Sequence, residues 1–284
     1  MKKLFSIIGG TLLCAGLLVL GVRVFLCDRF VVPSNSMAPT LLPGDRILVN
    51  KTLFGPRIYK RYYFGKDIPL SSVRLKGRRS VKPGDIVVYN APYGYDRNII
   101  EFKINHVYCK RCIGGPGDTI GIRNAFFYND RVEGVIGSKS AQERLAATPE
   151  ALVSERLLYV FPLFKMKPEW TIFNYGPIYV PAAGDCVQMT EENVYLYRKP
   201  VLYETGKELT VGGNGEAMLA DSIITSFTFS NNYYFFCGDN LIDSIDSRYQ
   251  GFVPEEFIVG IVDMIEYSLT PDGKRRKGRT LKKL

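Results

Sequence analysis

A serine hydroxyl becomes a nucleophile only when a neutral base can take its proton, and the usual base is histidine. This chain of 284 residues contains a single histidine, His106. A histidine-based site would hang on that one residue, so other bases must be considered. Three separated segments hold the alternatives. The first is Phe30-Val31-Val32-Pro33-Ser34-Asn35-Ser36-Met37-Ala38-Pro39-Thr40-Leu41, where an apolar stretch delivers a serine into a proline-containing turn. The second, Tyr108-Cys109-Lys110-Arg111-Cys112-Ile113 followed by Gly114-Gly115-Pro116-Gly117-Asp118, places a lysine inside an otherwise apolar strand. The third, Gly238-Asp239-Asn240 through Ser244-Ile245-Asp246-Ser247-Arg248-Tyr249, is a loop dense in donors and acceptors.

A lysine serves as a base only when uncharged, so its ordinary pKa of about 10.4 must fall substantially. Burial in an apolar setting disfavours the charged form and lowers it. Lys110, flanked by Tyr108, Cys109, Cys112 and Ile113, is where such a base belongs.

The elements that must position these groups read as strands joined by turns. Pro43-Gly44-Asp45, Pro83-Gly84-Asp85, Pro116-Gly117-Asp118 and Gly184-Asp185 each precede an apolar stretch. Proline presets the turn and glycine supplies the positive φ that other residues avoid. With 18 tyrosines, 17 phenylalanines and 27 glycines, the composition favours a β-rich fold. The clearest helical stretch of the body is 139–157, interrupted at Pro149.

Before the body comes an uncharged run from Leu4 to Val22, long enough to approach the span of a hydrocarbon core. No small-x-small site follows it, which argues for an uncleaved anchor over a removable signal peptide. Lys2 and Lys3 on one flank and Arg23 and Arg29 on the other nearly balance, so charge does not set the orientation. The net charge of +9 comes with no recognition-helix or zinc-finger pattern, so an anionic membrane surface is a better partner than nucleic acid. The basic and aromatic stretch Lys51–Val81 reads either as a solvated insertion or as an interfacial contact with lipid. The block after Asp272, GKRRKGRTLKKL, reads as a disordered tail. The cysteines at 14, 27, 109, 112, 186 and 237 lack the spacing of a zinc site and read as small apolar fillers.

Taken together and in order, the three segments resemble the type I signal peptidases, membrane-bound serine proteases with a serine–lysine dyad (peptidase family S26). The S-x-M-x-P-T-L, K-R-x-I-G-x-P-G-D and G-D-N…S-x-D-S-R-Y-x-G patterns are all present. The resemblance implies Ser36 as nucleophile and Lys110 as general base. It implies that Ser34 completes the oxyanion hole with the Ser36 backbone N–H, and that Ser244 hydrogen-bonds the lysine amine. Arg111 with Asp239, and Asp246 with Arg248, would brace the site. Phe30, Val32, Met37, Leu41, Tyr108 and Cys109 would line the pockets for small substrate residues. Leu241-Ile242, Gln250, Gly115 and Cys112 depart from the family's usual residues without removing a catalytic group.

The expected fold is mainly β: a transmembrane helix over 1–27, then an antiparallel β catalytic domain of signal-peptidase type over 28–118 and 232–266. A smaller α+β cap over 119–231 is inserted, and 267–284 is the basic tail. The expected function is removal of signal peptides from exported preproteins at Ala-X-Ala sites, without cofactor or metal, by a monomer. Its partners would be signal peptides and the phospholipid membrane. The expected location is the bacterial inner membrane, single-pass, with the body on the periplasmic side. A self-cleaving repressor uses a related dyad, but it would carry a DNA-binding domain where this chain has its apolar run.

Overall fold

The computed structural model describes residues 2–61, 71–93, 98–160, 167 and 169–284, excluding the side chains of 2–7 and 156. It opens with helix α1, Lys2–Gly21, continued without interruption by a looser helical turn over Val22–Leu26. Ile8–Leu26 is long and apolar enough to cross a membrane, and none of it is buried within the protein. Such a helix cannot bury its sides in this fold, so its exposed leucines require another apolar medium.

The body is built on one eight-stranded antiparallel sheet. Its strands are β1 (Cys27–Val31), β2 (Asp45–Asn50), β3 (Ile86–Asn90) and β4 (Val107–Gly114). Far along the chain follow β5 (Tyr233–Cys237), β6 (Val253–Pro254), β7 (Ile258–Ser268) and β8 (Lys282–Lys283). The order across the sheet is β1-β2-β7-β3-β4-β5-β6, with β8 also paired to β7. Register shifts interrupt β7 against β2 and β3, and β5 against β4. Such irregularities bend strands and raise local twist, which is how a sheet curls. The curl is visible in its result: the turn that follows edge strand β1 touches β4, four strands away in the order.

The four Gly-Asp turns share one construction. Gly44, Gly84, Gly117 and Gly184 all have φ near +90°, the conformation glycine adopts without strain. The aspartate after each accepts from the N–H three residues before it: Leu42 to Asp45, Lys82 to Asp85, Gly115 to Asp118, Ala182 to Asp185. These turns launch β2, β3 and two strands of the inserted region, Thr119–Arg123 and Cys186–Gln188.

Residues between β4 and β5 form three small sheets and two main helices, α2 (Lys139–Ala146) and α3 (Glu191–Thr205). One hydrophobic cluster runs through this region and the main sheet. Tyr197 of α3 stacks on Phe252 at 5.5 Å, and Tyr175 meets Phe235 at 6.0 Å. The mainly β, antiparallel fold behind an apolar helix is the one expected from the sequence.

Three expectations need correcting. The basic tail is ordered: Lys282 and Lys283 pair with Ile265 and Met264, continuing the edge of β7 beyond the end of β3. Arg279 grips the buried Asp45 (Nε to Oδ1 3.0 Å), and Arg276 donates to the Pro43 carbonyl at 2.7 Å. Charge composition alone misread it, because Asp45 and Pro43, which hold its arginines, lie more than two hundred residues away. The longest helix of the body is α3, not the 139–157 stretch, which holds α2 and two shorter turns. Finally, all six cysteines are free, but only Cys112 and Cys237 are buried fillers. Cys27 and Cys109 are half-buried, and Cys14 and Cys186 are exposed. Of the Lys51–Val81 stretch, residues 62–70 lie outside the described residues; the remainder forms a short helix and the hairpin Arg57–Tyr59/Ser72–Arg74.

Candidate active site

Strand alternation decides what β4 offers. Tyr108, Lys110 and Cys112 alternate with Cys109, Arg111 and Ile113. The Lys110 side chain is only 5% exposed, and its Nζ sits 5.9 Å from the centre of the Tyr108 ring. Burial lowers the Lys110 pKa from its ordinary value, Asp246 and Cys109 oppose that, and Arg248 adds to it. Among the described residues Lys110 makes no salt bridge: the nearby carboxylate, Asp246, is already engaged.

Asp246 and Arg248 are both fully buried and form a fork, with Nε to Oδ1 at 2.9 Å and Nη2 to Oδ2 at 2.8 Å. Asp246 Oδ2 also accepts from the Gly238 N–H at 2.9 Å and from the Ser244 hydroxyl at 2.7 Å. Burial alone would raise the Asp246 pKa, but the Arg248 charge and these hydrogen bonds hold it below the usual range. Arg248 Nη1 donates further to the Leu241 carbonyl at 3.0 Å, closing the loop on itself. Ser244 spends its one proton on Asp246, which leaves its oxygen lone pairs as acceptors.

Ser36 is half-buried in the short turn Asn35–Met37 that follows β1. Ser34, exposed, brings its Oγ to 3.2 Å from Ser36 Oγ. The turn is fastened to the third segment by its backbone. Asn240 N–H donates to the Ser36 carbonyl at 3.0 Å, and Asn240 Nδ2 to the Asn35 carbonyl at 3.2 Å. Between them lies Gly238, where an added Cβ would fall 2.3 Å from both the Ser36 carbonyl oxygen and Ser244 Oγ. Only glycine lets the Ser36 turn and Ser244 approach so closely. Asn240 and Gly238 stand within the quoted G-D-N pattern, yet their types alone did not reveal this clamping role.

Arg111 and Asp239 form a second fork, at 2.7 and 2.6 Å. Thr40 donates to the same Asp239 carboxylate, and Arg111 also donates to the Gly84 carbonyl at 2.6 Å. This fork therefore ties β4, the loop after β5 and the segment behind Ser36 together. Thr40 lies within the S-x-M-x-P-T-L pattern, but its residue type alone does not show this role.

The expected pocket residues divide. Val32, Met37 and Leu41 are core residues of a small cluster, against which Phe30 and Cys109 pack half-buried. Tyr108 packs instead on the larger cluster and on Tyr89. Burial raises the Cys109 pKa to about 12, so its thiol stays neutral. His106 is exposed, its ring against Tyr108.

Residues 107–110 of β4 pair with β3 on one side, while β5 reaches β4 only from Arg111 onward. Among the described residues, strand β1 likewise pairs only with β2. Two strand edges, one leading to Ser36 and one to Lys110, are thus left open.

A sequence profile of the family described as "Signal peptidase, peptidase S26" matches residues 5–165 and 180–267. Signal peptidase I of Buchnera aphidicola subsp. Baizongia pistaciae is 28% identical over 259 residues, 88% of this chain and 72% of that protein. Signal peptidase I of Aquifex aeolicus is 28% identical over 264 residues, covering 90% of this chain and 84% of its own. Signal peptidase I of Pseudomonas aeruginosa is 26% identical over 253 residues, covering 86% and 66%. The chain belongs to the signal peptidase family, peptidase S26. Its kind within that family is the bacterial type I enzyme, a serine peptidase that removes signal peptides. The apolar N-terminal helix is consistent with membrane anchoring.

Proposed function

We propose that this enzyme is anchored by α1 in the bacterial inner membrane, with its body on the periplasmic side. There it cuts exported preproteins after small residues of the Ala-X-Ala kind, using Ser36 as nucleophile and Lys110 as general base. The observation that carries the reading is Lys110 itself: a buried amine whose nearby carboxylate is neutralised by another cation. An amine so placed can take a serine proton in the role an imidazole usually fills.

The preprotein segment lies extended along the open edges of β1 and β4, held by main-chain hydrogen bonds. Lys110 takes the Ser36 proton as Oγ attacks the scissile carbonyl. The Ser34 hydroxyl and the Ser36 N–H stabilise the oxyanion. Collapse expels the mature chain's amine, which takes a proton from Lys110, and leaves an acyl-enzyme. Lys110 then activates the water that releases it. Ser244, its proton committed to Asp246, accepts from the Lys110 amine and turns the lone pair toward Ser36. Phe30 and Cys109 wall a shallow pocket over Val32, Met37 and Leu41, with Tyr108 at its margin; none offers a charge to a polar side chain. The enzyme works as a monomer on signal peptides and membrane, without nucleic acid.

The test uses the full chain in detergent and a precursor with Ala at the first and third positions before the cut. Wild type and His106→Ala should process it, whereas Ser36→Ala and Lys110→Ala should not; near-normal turnover by the lysine variant would overturn the dyad. A precursor with Phe at the first position should be refused, and equal cleavage would sink the pocket assignment. Protease added outside spheroplasts should digest the body, and full protection would refute its placement.

A further inference from the structure

A cavity of about 380 Å³ lies where the apolar helix meets the body. Its polar lining includes Arg23, Asp28, Lys51, Arg57, Tyr59 and Asn90. Three cations there face one carboxylate. Asp28 is shared between Arg23, at 3.2 Å, and Lys51, at 3.5 Å. Lys51 also donates to the Arg23 carbonyl at 2.6 Å, which fixes it at the foot of the helix.

Arg57 is nine-tenths buried and has no carboxylate partner among its hydrogen bonds. It donates to the Asn90 side chain at 2.6 Å, to the Tyr59 hydroxyl and to the Glu256 carbonyl. Its Nε is buried with no hydrogen-bond partner among the described residues. Arg57 thus brings to the cavity a positive charge that no carboxylate hydrogen-bonds. The crowding of like charge is also felt. Burial, then the charges of Arg57 and Arg23, lower the Lys51 pKa against the pull of Asp28. Burial and then Arg57 lower Arg74 to about 10. An anion in the cavity would offset the excess of positive charge in its lining.

Position says which anion. Arg23 stands in the last turn of the apolar length Ile8–Leu26, whose 19 residues rise about 28 Å, close to the thickness of a hydrocarbon layer. Phe25 and Leu26 beside it remain exposed. The cavity therefore opens at the level of lipid headgroups. It is formed in part by the basic, aromatic stretch beginning at Lys51.

We propose that this cavity binds the phosphate of an anionic lipid headgroup, held by Arg23, Lys51 and Arg57. The proposal rests on reading α1 as a membrane anchor, and its test is kept separate from that reading. Full-length protein in mild detergent would be titrated with phosphatidylglycerol, and retained lipid counted by native mass spectrometry. Lys51→Gln should weaken retention about fivefold, the effect of one cation at a membrane surface. Asp28→Asn should strengthen it, a change of sign that misfolding cannot produce. Lys282→Gln, on the exposed β8, should leave it unchanged. If Lys51→Gln and Asp28→Asn moved retention in the same direction, or not at all, the proposal fails. It fails also if inorganic phosphate displaced the lipid at equal concentration, since the site would then take a free anion. A rise in KM for precursor with lipid retention untouched would assign the cavity to the substrate cleft, through Phe30, and overturn it. Sedimentation with phosphatidylcholine vesicles tests the anchor alone: failure there refutes the anchor without touching the detergent result.

Discussion

Strand β4 and the loop after β5 each bury a cation, and they treat it oppositely. In the loop, Arg248 has a carboxylate fork and two backbone carbonyls. Burial acts to lower its pKa, yet the Asp246 charge and hydrogen bonds prevail and raise it. In the strand, Lys110 is as well buried but receives only the residue of Asp246's field, so burial prevails and its pKa falls. The same carboxylate serves both. Because Asp246 is committed to Arg248, it can hold Ser244 and Gly238 in place without returning Lys110 to its charged form. Burial by itself thus does not define a base; how the neighbouring charge is already spent does.

The comparison breaks most completely at the proposed nucleophile and base. Ser36→Ala or Lys110→Met should cut turnover roughly ten-thousand-fold in a precursor-processing assay, as loss of a nucleophile or its base does elsewhere. Lys110→Met also tests the energetics. A lysine with a lowered folded pKa binds fewer protons folded than unfolded between that pKa and about 10.4, so stability rises with pH across that window. Below it the penalty is fully present. Lys110→Met should therefore be more stable than wild type at neutral pH and lose that upward slope, measured by denaturant unfolding. In wild type, kcat should climb with pH through the lowered pKa of Lys110.

Next in size is Asp246→Asn, which strands Arg248 in the interior and should cost about 3–5 kcal/mol. If stability barely changed, the two cations would not be distinguished by their partner as described. Gly238→Ala forces a methyl group against the Ser36 carbonyl and Ser244, and should cost about 1–3 kcal/mol with loss of processing. Ser244→Ala is the mildest: kcat should fall about tenfold to a hundredfold, the worth of one hydrogen bond to the amine, with KM unchanged. Its melting temperature should stay close to wild type, since Asp246 keeps Arg248.

How much of this was legible beforehand follows from the range of each interaction. The four turns were readable because proline, glycine and aspartate act within four residues of one another, and all four were found as strand starts. Ser36, Lys110 and Ser244 were singled out by the family resemblance that the three segments carry together, each being ambiguous alone, and the structure gathers those segments around Gly238. Helix α3 was missed although Thr190 caps it, Glu191 and Glu192 fill its first turn and Gly206 closes it at φ 68°. Its Val-Tyr-Leu-Tyr stretch and internal Pro200 pointed away from a helix, and burial of Tyr197 and Val201 in the shared core outweighed them. The tail was misread for the opposite reason. Lysine and arginine in a row look solvated until Asp45 is placed beside Arg279. The tie between Asn240 and the Ser36 carbonyl is a backbone contact, and side-chain types alone do not encode it.

The position of β7 in the sheet has a consequence for the newborn enzyme. Strand β2, which follows the serine turn, gains its inner neighbour only when residues 258–268 have been synthesised. Until then the growing chain carries Ser36 at its front and Lys110 in its middle, with no continuous sheet to bring the two together. A site that draws on both segments therefore cannot be complete before the last strands of the sheet are made.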